Sequence, residues 1–191
     1  MNTSNKQLIL TAAGIILAAA LSRLLPHAPN FAPIGALGIF GGTTVKDKKY
    51  AFIFPLGALL ISDIILQSFT STSGFYGWEQ IFVYAAVTLT TFLATRIKKA
   101  NAANILLACV WTGIIFFLLS NFGVWVAHLY YPHSFAGLMQ CYGQALVFYH
   151  NDLFSNFAIN SIAGNVFFSA LMFGAYALVK KNIAVPASGI A

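Results

Sequence analysis

Arg23 and Asp63 are the residues of this sequence whose charges are best placed for binding chemistry. Each lies at the predicted outer end of a long apolar segment. A charged side chain at that depth of a membrane is costly unless it is paired or hydrated. The two residues therefore predict a ligand-binding pair, or a gate, beneath the outer loops. The alternative is an arginine that extends to the interface and an aspartate that binds loop backbone at a helix end.

A proline-rich and glycine-rich stretch, residues 22–42, surrounds Arg23 and leads into the next predicted helix. Pro26, Pro29 and Pro33 each remove a backbone donor, so this stretch is not one continuous helix. Within a membrane, unpaired backbone is tolerated only where protein buries it or where it lines a hydrated cavity. The stretch is therefore predicted to form the mouth of a pocket.

Six further residues are predicted to lie near this mouth, because they are polar, charged or aromatic and fall in the outer loops or at outer helix ends. Imidazole and amide groups can exchange hydrogen bonds with a ligand, and indole rings can stack on a flat heterocycle. The alternatives are capping of loops and the aromatic belt of a membrane interface. With Arg23 and Asp63, the predicted ligand-binding set comprises His27, Asn30, Trp78, Glu79, Asn121 and Trp125.

Metal binding and catalysis are not favoured by the residue pattern. Histidines at positions 27, 128, 133 and 150 share the predicted outer side, but they lack the spacing of zinc ligands on one helix. Cys141 is a lone thiol and is not expected to pair with Cys109. Because no nucleotide-binding or hydrolase motif is present, we predict no cofactor, no metal and no enzymatic activity. A membrane enzyme that uses Asp63 and a histidine is the weakest alternative.

Composition places nearly the whole chain in a membrane. Of its 191 residues, 59% are hydrophobic and 7% are charged, whereas a soluble domain has about 25% charged residues. At roughly 20 residues per span, we predict an all-α integral membrane protein with six transmembrane helices, the second of them short. A single domain, residues 1–191, would contain the spans 7–25, 31–45, 50–67, 78–96, 103–126 and 153–179.

The basic residues predict the orientation of these spans. Lysine and arginine collect in cytoplasmic loops. With the N-terminus inside, nine of the ten basic residues fall on the inner side and Arg23 alone falls outside. Both termini are therefore predicted to be cytoplasmic. The net charge of +6 then reflects this bias and contact with anionic lipid, so no nucleic acid partner is expected.

Two helix faces repeat small or polar residues every four positions. Gly14 and Ala18 would let a partner helix approach closely. Asn156 and Asn160, with Gly164, predict hydrogen bonds between helices or, alternatively, the lining of a cavity. Residues 134–149 mix apolar and polar side chains and predict a helix that lies on the membrane surface.

Several motifs carry a family resemblance: RLLPHAPNFAPIGALGIFGG, PLGALLISDIIL, NFGVWV, YPHSFAGLMQCYGQALVFYHNDLFSN and LMFGAYAL. With them the chain resembles a family of small uncharacterised bacterial membrane proteins, which is distantly similar to the substrate-binding (S) components of energy-coupling-factor (ECF) vitamin transporters. The resemblance implies an S-component-like bundle in the bacterial cytoplasmic (inner) membrane, with an outward pocket closed by the first-to-second and third-to-fourth loops. It also implies that Gly14 and Ala18 contact a transmembrane coupling subunit, which would work with ATPases.

We therefore expect the protein to bind a small, vitamin-like and heterocyclic nutrient at the outer face and to pass it inward. A different class of function remains open. In that alternative the protein is an accessory or structural subunit of a larger membrane complex, and the small-residue faces and residues 134–149 make the contacts.

Overall fold

A computed structural model describes residues 3–75, 77–127, 130–146 and 157–184, which form helices and connections with no strand among them. A short 3-10 turn, Ser22–Leu24, follows the first helix. The helices are α1 (Thr3–Leu21), α2 (Ile34–Thr44), α3 (Lys48–Phe69), α4 (Gln80–Ala94), α5 (Ala102–Val126), α6 (Phe135–Leu146) and α7 (Phe157–Ala184).

Four of these helices, α1, α3, α5 and α7, are long and apolar enough to cross a membrane, as expected of a membrane protein. α2 and α4 are apolar but have only 11 and 15 residues. At 1.5 Å per residue they measure about 17 and 22 Å, against a hydrocarbon core of about 30 Å. If α2 and α4 also cross the membrane, the connections that precede them must therefore lie within the hydrocarbon core.

Helix ends differ from the predicted spans at several places. α1 ends at Leu21 rather than at residue 25, because the chain tightens into the 3-10 turn before the prolines. α7 continues to Ala184, past the predicted end at residue 179. Residues 153–156 of the predicted sixth span lie outside the described residues. The predicted surface segment contains α6, whose described part packs against α5.

Polar side chains fix where two of the long helices begin. Asp47 caps α3, and its carboxylate accepts a hydrogen bond of 2.9 Å from the backbone N–H of Lys49. Asn101 caps α5 in the same way, with the N–H of Asn104 as donor at 2.9 Å. Each cap satisfies an N–H that the first turn of a helix leaves unpaired. The charged turns therefore begin the helices that follow them.

Side-chain contacts show that α1, α3 and α5 run in one direction and that α2, α4 and α7 run in the other. Arg23 after α1 meets Asp63 late in α3, so these two helices are parallel. α5 and α7 are antiparallel, since Thr112 lies beside Asn165 and Cys109 lies beside Ser169. One end of the bundle therefore comprises residues 45–47, residues 95–101 and the C-terminal turn of α7. We call it the basic end, and we call the opposite end the loop end.

α2 lies at the centre of the bundle, and residues 35–41 of this helix are all buried. It contacts α1, α3, α4, α5 and α7. A Cβ atom at any of its glycines would come within 3 Å of a neighbouring side chain: Gly35 faces Asn165 of α7, Gly38 faces Thr90 of α4, Gly41 faces Pro55 of α3 and Gly42 faces Ala94 of α4. The glycine-rich motif therefore brings other helices into direct contact with the α2 backbone.

A small set of polar side chains forms hydrogen bonds between α5 and α7 within the core. The amide of Asn165 donates to the hydroxyl of Thr112 at 3.0 Å, and the thiol of Cys109 donates to the hydroxyl of Ser169 at 3.5 Å. These residues are buried, and both cysteines of the chain are free. Hydrogen bonds of this kind join helices where neither partner could be hydrated.

Candidate functional site

Arg23 and Asp63 form a buried ion pair at the loop end. One guanidinium nitrogen of Arg23, Nη1, donates to the carboxylate of Asp63 at 2.5 Å and to the hydroxyl of Ser62 at 2.6 Å. The side chain of Asp63 is 2% exposed and that of Arg23 is 11% exposed. Asp63 lies about 23 Å along α3 from Lys48 at 1.5 Å per residue. The pair is thus largely shielded from water, and Arg23 is its more accessible member.

Two residues of α4 complete the hydrogen bonding of Asp63. The amide of Gln80 donates to the second carboxylate oxygen at 2.9 Å, and the hydroxyl of Tyr84 donates to the same oxygen at 2.7 Å. We call Arg23, Ser62, Asp63, Gln80 and Tyr84 the Arg23 cluster. Each carboxylate oxygen therefore has a protein partner, which is how a buried charge becomes tolerable.

The connection between α3 and α4 is tied to this cluster. Besides binding Asp63, Gln80 donates to the carbonyl oxygen of Gly74 at 3.0 Å. Gln67 accepts from the backbone N–H groups of Gly74 and Phe75 at 3.1 and 3.2 Å. A Cβ at Gly74 would overlap the carbonyl oxygen of Asp63, so only glycine permits this approach. The position of the connection therefore depends on the same residues that hold the ion pair.

The connection between α1 and α2 is held by its own backbone and by α7. Asn30 has a φ of 61°, a left-handed conformation that asparagine adopts more readily than most residues. The amide of Asn160 donates to the carbonyl oxygen of Pro29 at 2.8 Å. Gly164 lies against Ala32, where a Cβ would be 3.0 Å from the backbone nitrogen. Of the predicted polar stripe, Asn160 and Gly164 thus hold this connection, and Asn156 lies outside the described residues.

Three further predicted ligand residues are accessible in these two connections. His27 is exposed, and an imidazole nitrogen lies 3.0 Å from the neighbouring carbonyl oxygen of Ala28. Trp78 is 78% exposed, and Glu79 is half-buried beside Gly77. They lie at the loop end, but within the described part of the chain no hydrogen bond or ion pair joins any of them to Arg23 or Asp63.

Asn121 and Trp125 belong to a separate polar arrangement between α5 and α6. The indole of Trp125 donates to the carbonyl oxygen of Pro132 at 3.0 Å, and an imidazole nitrogen of His133 lies 2.7 Å from the Trp125 carbonyl oxygen. The thiol of Cys141 donates to the carbonyl oxygen of Asn121 at 3.3 Å. Burial raises the pKa of the Cys141 thiol above its ordinary value. These groups hold the α5–α6 connection in place.

The predicted partner-contact residues lie on an open face of α1. Gly14 and Ala18 are exposed, and a Cβ at Gly14 would meet nothing within 4 Å. A cavity of about 260 Å³ lies beside them between α1 and α7, with Ala18, Ser22 and Leu171 among its lining residues. The described residues contain no group of three or more His, Cys, Asp or Glu that could hold a metal ion. His128 and His150 lie outside the described residues.

Ser62, Gln80 and Tyr84 were not predicted as site residues from the sequence. Ser62 precedes Asp63 directly, and Gln80 and Tyr84 are four residues apart, so they share one face of a helix. An amide and a phenol four residues apart, near the start of an apolar helix, could have indicated that this helix face binds a polar group. Chemically, the charges of Arg23 and Asp63 offset each other, and the cluster keeps hydrogen-bond donors to spare, since Arg23 uses one of its three guanidinium nitrogens among the described residues.

Comparison with families of known sequence gives a match that covers almost the whole chain. Neither curated proteins nor solved structures give a match. This match confirms that the chain belongs to an uncharacterised family, while the similarity to S components stays a prediction. With residues 3–187 matching the family model, the chain belongs to DUF6580, a family of unknown function.

Proposed function

We propose that this protein is a membrane transport component that captures a small, vitamin-like nutrient at the loop end and passes it across the membrane. The observation that carries the proposal is the hydrogen bonding of Arg23, a partly buried arginine that uses one guanidinium nitrogen and keeps the other two for a further acceptor. A carboxylate or similar anionic group on the nutrient could bind there in the two-pronged manner that a guanidinium favours. His27 and Trp78 lie in the adjacent connections and would close over it.

In this proposal α1, α2, α3, α4, α5 and α7 are six spans, in the arrangement expected of an S-component-like fold. The alternation of their directions and the collection of lysines at the basic end support it. The protein would lie in the bacterial inner membrane, with the basic end and both termini in the cytoplasm. Single-cysteine variants in intact cells test this orientation. A membrane-impermeant thiol reagent should label Thr72→Cys and not Lys48→Cys, and the reverse pattern would contradict it.

Ligand binding is tested by a thermal-shift screen of the purified protein against water-soluble vitamins and their precursors. A ligand at 100 times its dissociation constant adds about 2.7 kcal/mol to the free energy of unfolding. Arg23→Lys keeps a positive charge for Asp63 but removes the planar fork of donors. It should therefore leave the protein folded and weaken ligand binding at least tenfold, whereas Arg96→Lys at the basic end should not.

Two results would contradict this proposal. One is the absence of a shift with every compound in the screen. The other is equal weakening of binding by Arg23→Lys and Arg96→Lys, which would remove the Arg23 cluster from the site.

The alternative function, a subunit of a larger membrane complex, is favoured by the open α1 face with Gly14 and Ala18. Leucine has room at both positions in the isolated protein, since Gly14 has open space around it and Ala18 is exposed beside a cavity, so neither substitution should lower its stability. Association with a coupling subunit and its ATPases would be lost if this face is the contact. Gly174→Leu on α7, also exposed with open space around it, is the matched control. Equal recovery of the complex with Ala18→Leu and Gly174→Leu would exclude the α1 face.

A further inference from the structure

Helix α6 presents three faces of different chemistry. Its buried face lies against the bundle and consists of Gly137, Cys141 and Ala145. On one side of this face is a row of large exposed apolar side chains, which we call the apolar stripe: Phe135, Met139 and Leu146. On the other side are the exposed side chains of Gln140 and Gln144. At 3.6 residues per turn, the apolar stripe and the glutamines lie about 140° apart. Outside the bundle, α6 therefore has one apolar edge and one polar edge.

The contacts between α5 and α6 show that α6 runs obliquely back along α5 from the loop end. The turn before α6 binds Trp125, near the last residue of α5. Later in α6, the hydroxyl of Tyr142 donates to the carbonyl oxygen of Leu118 at 3.1 Å, and the Tyr142 ring lies 5.9 Å from the ring of Phe117. At 1.5 Å per residue, Phe117 lies about 12 Å along α5 from Trp125.

This direction takes the second half of α6 to the depth of membrane hydrocarbon. α5 is one of the helices long and apolar enough to cross a membrane. Trp125 lies at its loop end, and indole rings favour the headgroup region. A level about 12 Å further in falls within one leaflet, since the whole hydrocarbon core is about 30 Å thick. α6 has 12 residues, a length typical of segments that enter a membrane without crossing it.

We propose that α6 is a re-entrant helix, inserted obliquely into the leaflet at the loop end. The apolar stripe contacts the acyl chains of the lipid, and Gln140 and Gln144 face the headgroups. This position differs from the one flat on the membrane surface that the sequence predicts. The inference does not depend on the function proposed for the Arg23 cluster.

The charge and the surroundings of α6 favour acyl chains as the partner of the stripe. Residues 130–146 contain no lysine, arginine, aspartate or glutamate, whereas helices that lie on a membrane surface are typically rich in basic residues. Ile114 and Leu118 of α5, at the level that α6 reaches, are 48 and 45% exposed, so the neighbouring surface is apolar as well. Helical side chains lean toward the helix N-terminus. The amides of Gln140 and Gln144 therefore lean toward the loop end, where headgroups and water can bind them.

Nitroxide labels on the full-length protein in liposomes of phosphatidylethanolamine and phosphatidylglycerol test the proposal. Power-saturation electron paramagnetic resonance gives the ratio of collisions with oxygen, which concentrates in hydrocarbon, to collisions with a polar nickel chelate, which hydrocarbon excludes. The background is C109S/C141S, in which serine keeps the donor of each thiol. The labelled positions are exposed and accommodate a label: Phe135→Cys, Met139→Cys, Gln140→Cys, Gln144→Cys and Leu146→Cys.

We expect two differences among these labels. The collision ratio should be about tenfold higher at Met139 than at the adjacent Gln140, which corresponds to exclusion of the chelate by about 1.4 kcal/mol. The ratio should also rise from Phe135 to Leu146, because α6 descends into the leaflet. Ile61→Cys, on an exposed apolar position of α3, is the lipid reference, and Thr72→Cys in the α3–α4 connection is the aqueous reference.

Three results would overturn the proposal. Ratios at Met139 and Gln140 that both match the aqueous reference would place α6 in water. Equal ratios at Phe135 and Leu146 would place the helix flat on the membrane surface. Few collisions with either reagent along the stripe would mean that protein, such as a second copy of this chain, covers it.

Discussion

Removing either member of the Arg23–Asp63 pair should destabilise the protein strongly, and the two losses should be unequal. Breaking a buried ion pair by deleting one partner costs about 3–5 kcal/mol. Asp63→Leu removes the acceptor for three donors, on Arg23, Gln80 and Tyr84. Arg23→Met leaves the buried carboxylate with two of those donors, on Gln80 and Tyr84. We therefore expect about 5 kcal/mol for Asp63→Leu and about 3 kcal/mol for Arg23→Met.

The double variant R23M/D63L separates a direct interaction from two independent effects. Independent sites would lose about 8 kcal/mol together. Replacing both charges by apolar side chains removes the uncompensated charge that makes each single change costly. The double variant should therefore lose no more than Asp63→Leu alone, about 5 kcal/mol, which corresponds to a coupling of about 3 kcal/mol.

Unfolding in mixed micelles with increasing dodecyl sulfate, followed by helical circular dichroism, measures these differences. Arg96→Met is the control, since that guanidinium lies 4.8 Å from the ring of Phe92 at the basic end and should contribute no more than about 1 kcal/mol. Additive losses in R23M/D63L would refute the interaction. A loss below about 1 kcal/mol for Asp63→Leu would refute the burial of the carboxylate.

Three further predictions concern the core, a connection and a thiol. Gly38→Ala should destabilise the protein by about 1–3 kcal/mol, because the new methyl group would overpack against Thr90. Gly57→Ala should instead stabilise α3 by up to about 1 kcal/mol, because Gly57 has open space around it. The same unfolding assay measures both changes. Asn160→Ala should cost about 1–3 kcal/mol and increase proteolysis of residues 25–33, because the Pro29 carbonyl loses its donor. In a C109S background, maleimide labelling of Cys141 should be slow at neutral pH and should accelerate as pH rises, because the raised pKa of the thiol leaves little thiolate. Labelling at neutral pH as fast as that of a solvent-exposed cysteine would contradict this prediction.

The membrane-protein class and the approximate helices follow from composition and apolar length. α2 could also be located, because its glycines and the prolines before it bound a short segment. Its central position could not be predicted, since a segment that is apolar on every side does not show which neighbours surround it. The contacts of Gly35, Gly38 and Gly41 with three different helices are a property of tertiary packing alone.

The candidate site was predictable to a smaller extent. The cost of burying a lone charge selected Arg23 and Asp63 as a ligand-binding pair or a gate, and the structure joins the two directly. The roles of Gln80 and Gly74 could not be predicted, because they depend on how the α3–α4 connection folds back onto α3. Asn121 and Trp125 satisfy the polar groups of the α5–α6 connection instead of adjoining Arg23. The polarity of a residue at a helix end does not show whether its side chain belongs to a ligand site or satisfies the backbone of a connection.

The placement of the α2 glycines has a consequence for how this family can change in evolution. Gly35 and Gly38 are each opposed by side chains alone, so a larger residue at either requires a smaller residue at its partner. Gly41 and Gly42 also face the backbone oxygens of Ala51 and Thr91, which a smaller partner side chain would not move. Gly35 with Asn165 and Gly38 with Thr90 should therefore vary as two independent pairs among related sequences, whereas Gly41 and Gly42 should stay glycine.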